Sequence, residues 1–140
     1  MNDGVMIAYL PTTTYWCRQE FPHMTLVYCG TVDDLKPTAL NELAKDAISV
    51  ARLTGPLMLN VVGTDVFGDE NEKVDVLRLY PTPQLILARQ LVEKWNASQH
   101  PFNPHATVGP EGSAWGDLPT NLYFDRLAVS WGTKNMLFQL

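Results

Sequence analysis

Two short stretches constrain this chain more than anything else in it: His23-Met24-Thr25 inside PHMTLVYCG and His105-Ala106-Thr107 inside PFNPHATVGP. Each is a His and a Thr two positions apart, entered through a proline and leading into an apolar run that ends at a glycine. On a β-strand, side chains at i and i+2 leave the same face, so each His stands beside its own Thr. The copies are 105 − 23 = 82 positions apart, which suits two similar lobes that turn their pairs into one cleft. A blander role also fits, because a His on an apolar strand is commonly a packed core residue and Thr favours strands for its shape. Repetition in matching context weighs against it: of the 3 His in the chain, two occupy these positions.

Two imidazoles across a cleft supply a general base and a general acid, since a pKa near neutrality lets one be neutral while the other is protonated. Two threonine hydroxyls can donate to the non-bridging oxygens of a phosphate held between them. The paired H-x-T motifs, the second preceded by Phe102-Asn103-Pro104, resemble those of the 2H phosphoesterase superfamily, which includes 2',3'-cyclic phosphodiesterases related to 2'-5' RNA ligases. The resemblance covers most of the chain, because the order of elements around both motifs fits as well. It implies an α+β fold of two lobes, with two antiparallel sheets and flanking helices around a central cleft. It also implies phosphodiester cleavage with no metal or other cofactor, His23 and His105 acting as acid and base in an order the sequence leaves open, and Thr25 and Thr107 on the phosphate.

Substrates implied by the resemblance are 2',3'-cyclic phosphates at RNA ends, ADP-ribose cyclic phosphate, 2'-5' linked oligoadenylates and, in phage members, the cyclic oligonucleotide alarms of bacterial immunity. The expected partner is a small nucleotide or a short RNA end. The competing reading is a non-catalytic module that sequesters a nucleotide in the same cleft, or a phage accessory protein. Intact H-x-T pairs argue against pure binding, since sequestration needs no acid-base pair.

Charge narrows the partner further. Asp and Glu number 15 against 10 Lys and Arg, a net charge of −5, and no Lys/Arg cluster occurs. A long nucleic-acid track, which depends on neutralising phosphates, is disfavoured. With 140 residues and 46% hydrophobic content, the chain is expected to bury its core as one domain over 1–140. MNDGVMIAYLP reads as neither a signal peptide nor a membrane span. Cys17 and Cys29 make no C-x-x-C spacing, which fits a reducing cytoplasm, that of a host if the protein is viral. Nothing supports Cys17 as a nucleophile.

Along the chain, a strand is expected over 4–10 and a polar, aromatic loop over 12–21. Tyr9 either points into the cleft to touch phosphate or base, or packs; Tyr15 and Trp16 either form a stacking wall or pack. A second strand over 23–29 would place Val27 and Cys29 on the His/Thr face and Met24, Leu26 and Tyr28 on the other. A helix over 37–53 carries Leu40, Leu43, Ala44, Ala47, Ile48 and Ala51 as one stripe, stopped by Gly55-Pro56. Strands over 57–67 and 74–80 flank an acidic turn, read as a solvated hairpin tip. Arg78 in the second of them either reaches a phosphate or makes a structural ion pair. A second helix starts at Thr82 as N-cap and Pro83 at the first helical position, and presents Leu87, Ala88, Leu91, Val92 and Trp95.

His100 beside His105, or the two cysteines with it, matches no zinc spacing. Phe102 beside the second motif and Trp115 in the irregular loop over 109–119 complete the substrate-binding candidates Tyr9, Trp16, Arg78, Phe102 and Trp115. The chain closes on a hairpin over 122–140, with Trp131 either in the core or in the cleft. The expected order is β-β-α-β-β-α-β-β-β.

Overall fold

The structure, a computed structural model, describes residues 4–140. Its elements follow the expected order: β1 (Gly4–Pro11), β2 (Met24–Thr31), α1 (Ala39–Thr54), β3 (Leu57–Phe67), β4 (Val74–Leu79), α2 (Pro83–Val92), β5 (His105–Pro110), β6 (Asn121–Trp131) and β7 (Lys134–Gln139). Local chemistry sets several boundaries. Thr82 caps α2, its hydroxyl accepting the Leu85 N–H at 3.3 Å, and Pro83 occupies the first turn, where its missing N–H costs nothing. At the end of α1 the chain needs a positive φ of 57° to turn away, which Gly55 supplies.

The α+β class holds, but the two expected sheets are one. Seven antiparallel strands run in the order β1-β2-β5-β4-β3-β6-β7, and β1 also pairs with β6. The long strand β6 joins the halves: Asn121 to Phe124 pair with β3, and Phe124 to Trp131 pair with β1. A second seam is a single bridge between β2 and β5, Met24 opposite Ala106. Each half therefore keeps its own group of strands while backbone hydrogen bonding runs continuously between them.

Helix α1 packs on β6 and β7, α2 packs on β2, and the helices touch each other. The buried face of α1 is Ala39, Leu43, Ala47 and Val50, rotated from the expected stripe, so that Ile48 is exposed. On α2 the buried residues are Leu85, Ala88 and Val92, and Leu87 is half exposed instead of packed. Trp131 packs against the core. Cutting a fully buried side chain such as Leu43 to Ala would cost roughly 2–5 kcal/mol. No helix among the described residues is long and apolar enough to cross a membrane.

Candidate active site

The two H-x-T segments meet at the Met24–Ala106 bridge. In an antiparallel pair, positions on either side of a bridge oppose one another, so Thr25 lies across from His105 and His23 across from Thr107. Met24 and Ala106 point to the core and are fully buried, which sends all four functional side chains to the opposite face, where all are partly exposed. Directly opposed residues have Cβ atoms roughly 5 Å apart and diagonal ones roughly 7–8 Å, so the histidines occupy one diagonal of a small quadrilateral and the threonines the other.

The two halves repeat one device in detail. His23 Nδ1 faces the Phe21 carbonyl at 2.7 Å, and His105 Nδ1 faces the Asn103 carbonyl at 2.7 Å. A carbonyl only accepts, so Nδ1 carries the proton in each ring, and Nε2 is the nitrogen that gains or loses one. Each imidazole also has a phenylalanine neighbour, Phe21 at 5.0 Å between ring centroids and Phe67 at 4.7 Å. Immediately after each Thr the strand carries one extra residue. On β2, Thr25 pairs with Ala8 and Val27 with Ile7, leaving Leu26 over; on β5, Thr107 pairs with Val76 and Gly109 with Asp75, leaving Val108 over. Such bulges re-aim the side chains that follow them. This corrects the expected facing of β2: Tyr28 joins the Thr25 face, and Val27 and Cys29 turn inward and are buried.

Beyond the single bridge the strands diverge, and an open groove of about 860 Å³ fills the gap on the Thr25/His105 side. Tyr28, Phe67, Arg89, His100 and Phe102 are among its lining residues. Arg89 donates to the Leu26 carbonyl at 2.8 Å, pairs with Glu93 and lies over the Phe102 ring, 4.8 Å from its centroid. No motif marks Arg89 in the sequence; its one signal is a lone cation in the apolar run LILARQLV.

Of the other candidates, Phe102 lines the groove. Arg78 stands opposite His105 across the β4/β5 pair and makes a half-exposed ion pair with Asp65 at 3.9 Å, an interaction worth about 0–1 kcal/mol. Trp115 is 64% exposed, outside the groove, with Arg18 over its ring at 4.5 Å. Two expectations are overturned. Tyr9 is fully buried against Phe124, its hydroxyl 3.3 Å from Thr54 Oγ1, because Tyr9 pairs with Met24 and shares its core-facing side. Trp16 is 1% exposed and donates its indole N–H to the Thr13 carbonyl at 2.8 Å, so it anchors the loop instead of walling the cleft.

Burial pushes the His23 pKa below the usual imidazole range; its hydrogen bond to Phe21 opposes this, and the charge of His105 adds to it. A lowered pKa favours the neutral imidazole. Cys17 lies with its Sγ 3.5 Å from the Thr107 carbonyl, and burial pushes its thiol up, away from the reactive thiolate. Among the described residues no three His, Cys, Asp or Glu side chains are grouped as a metal ion would require.

No curated protein matches this chain. Among solved structures, Usb1 of Kluyveromyces marxianus is similar with a TM-score of 0.70 and 11% identity over 99% of this chain and 99% of that one. The same protein with uridine monophosphate gives 0.67 and 11% over 98% and 97%. LigT of E. coli, complexed with 3'-AMP, gives 0.57 and 16% over 100% and 96%. At these identities the likeness is one of fold. The profile of the 2'-5' RNA ligase superfamily matches residues 13–126, a span that holds both H-x-T motifs and everything between them. By that match the chain belongs to the 2'-5' RNA ligase superfamily, the 2H phosphoesterases.

Proposed function

We propose that the protein cleaves the phosphodiester of a small nucleotide or short RNA end by two-histidine acid-base catalysis, with a 2',3'-cyclic phosphate or a cyclic oligonucleotide as substrate. The crossed arrangement of the two His/Thr pairs carries this reading: two imidazoles and two hydroxyls share one face around the Met24–Ala106 bridge, and a phosphate is the tetrahedral anion whose oxygens such a set is suited to hold. With its proton held on Nδ1, neutral His23 offers Nε2 to a water and takes its proton as the oxygen attacks phosphorus. The bond from phosphorus to the ribose oxygen breaks, and His105 gives the departing oxygen its Nε2 proton. Solvent exchange then resets the pair.

Thr25 and Thr107 donate to the non-bridging oxygens, where negative charge is held throughout. Among the described residues the Thr25 hydroxyl makes only a weak contact with Met6 Sδ at 3.6 Å, which a ligand oxygen can displace. A nucleoside fits the adjoining groove against Phe102 and Tyr28, with Arg78 beside the phosphate. Small nucleotides also occupy the Usb1 and LigT structures of this fold.

The test is turnover of a 2',3'-cyclic nucleotide and of a cyclic dinucleotide in excess chelator. His23→Ala and His105→Ala should each cut the rate by roughly 10²–10⁴-fold, and the double variant by little more, because the residues act as a unit. Stoichiometric retention of nucleotide with no product would mean a sequestering module; loss of activity to chelator and its return with zinc would sink the two-histidine chemistry.

A further inference from the structure

The repeat between the halves extends past the catalytic quadrilateral. The carbonyl of the bulged residue Leu26 accepts from the Arg89 guanidinium at 2.8 Å; the carbonyl of its counterpart Val108 accepts from the Arg18 backbone N–H at 2.6 Å. Each arginine then lies over an aromatic ring, Arg89 over Phe102 at 4.8 Å and Arg18 over Trp115 at 4.5 Å. The first pair lines the groove on the Thr25/His105 side. The second lies on the side of the other opposed pair, His23 and Thr107, because the segment from Cys17 to Phe21 runs from the Thr107 and Val108 carbonyls to the Phe21 carbonyl that holds His23.

The pairs differ in how far they are committed. Arg89 is bound to Leu26 and Glu93, whereas among the described residues no carboxylate pairs with Arg18. Trp115 exposes 64% of its surface, yet the loop beneath it is fixed: the buried Asp75 carboxylate accepts the N–H groups of Gly112 and Ala114, each at 2.9 Å. Gly109 brings this loop and the Arg18 segment onto β5, since a Cβ there would meet Ser113 Oγ at 2.8 Å and Arg18 Cβ at 3.0 Å. A rigidly mounted, exposed indole beside a cation with no carboxylate partner is a stacking platform for a base and a contact for a phosphate.

We propose that Arg18 and Trp115 form a second nucleoside subsite, so that the preferred substrate is a phosphodiester joining two nucleosides. One nucleoside occupies the Phe102 groove, the reacting phosphate sits between the His/Thr pairs, and the other nucleoside stacks on Trp115. This rests on the phosphodiesterase reading above and narrows its substrate.

Adenylyl-(3'→5')-adenosine and 2',3'-cyclic AMP are the two probes, and kcat/KM is measured for both. Trp115→Ala and Arg18→Gln should each lower the ratio of dinucleotide to cyclic mononucleotide kcat/KM by roughly ten- to a hundredfold, through KM, and Trp115→Phe should recover most of the loss. Equal losses on both probes, or none on either, would overturn the subsite. Binding of adenylyl-adenosine and of 3'-AMP, titrated calorimetrically on a His105→Ala background, separates the two ideas. If the wild type turns over neither probe, the phosphodiesterase reading fails. A selective loss of dinucleotide affinity in Trp115→Ala would still uphold the subsite, and its absence would remove it.

Discussion

Asp75 is the buried carboxylate on which the Trp115 loop depends, and removing it should be measurable in stability before it is measurable in function. The residue is 8% exposed, and a single oxygen, Oδ2, accepts both the Gly112 and the Ala114 N–H at 2.9 Å. Hydrogen bonds to a charged group contribute about 1.5–3 kcal/mol each. Gly112 lies at the exposed end of the loop, so its amide can turn to water when the carboxylate is lost; Ala114 is half-buried and cannot do so as freely. Asp75→Ala should therefore cost about 2–3 kcal/mol, below the sum of two full bonds. Asp75→Asn can place its carbonyl oxygen where Oδ2 stands and keep both bonds; it gives up only the charge assistance, for about 1 kcal/mol. Urea unfolding followed by fluorescence gives both values from the shift in midpoint at constant slope. An Asp75→Ala variant within about 0.5 kcal/mol of wild type, or an Asn variant as damaged as the Ala one, would refute the account of the loop.

Three further outcomes test the site. In the proposed mechanism His23 acts as base in its neutral form, and its pKa is lowered, chiefly by burial, so kcat/KM should rise along an acidic limb centred below the ordinary imidazole value of about 6.5. The same residue should make stability fall as pH drops from that value toward the folded-state pKa, since the unfolded chain then binds the extra proton; a limb at or above the ordinary value contradicts the assignment. Thr25→Val and Thr107→Val keep shape but remove a donor, and should lower kcat by about 10–10³-fold without moving that limb; full activity in either would place its hydroxyl away from the phosphate. Tyr9→Phe loses only the bond to Thr54 of a phenol whose pKa burial has pushed up to about 12, and should cost about 1 kcal/mol of stability with turnover intact; a rate loss like that of the histidine variants would put Tyr9 back in the cleft.

What could be read from the chain alone was whatever depends on near neighbours in sequence. The order of the strands and α-helices, the Thr82-Pro83 helix start and the Gly55 stop follow from periodicity, capping and backbone freedom, which act within a few residues. Two matched H-x-T motifs signal paired chemistry for the same reason, since i and i+2 share a face on any regular strand. Tertiary structure decided everything that depends on which strand lies beside which. The Met24–Ala106 bridge crosses the pairs, setting each His against the other motif's Thr, and β6, paired with both β1 and β3, merges two expected sheets into one. The extra residues Leu26 and Val108 break strand alternation, so Tyr28 faces the groove although simple alternation put it on the other side. Tyr9 and Trp16 carry an apolar body with a polar tip that suits a cleft or a core equally well, and only the packing reached through folding, Tyr9 against Phe124 and Thr54 and Trp16 within the core cluster, settles them in the core. Arg89 and Arg18 have no motif at all; each gains its meaning from a bulge carbonyl on a strand far away in sequence, and that pairing exists only once the chain has closed on itself.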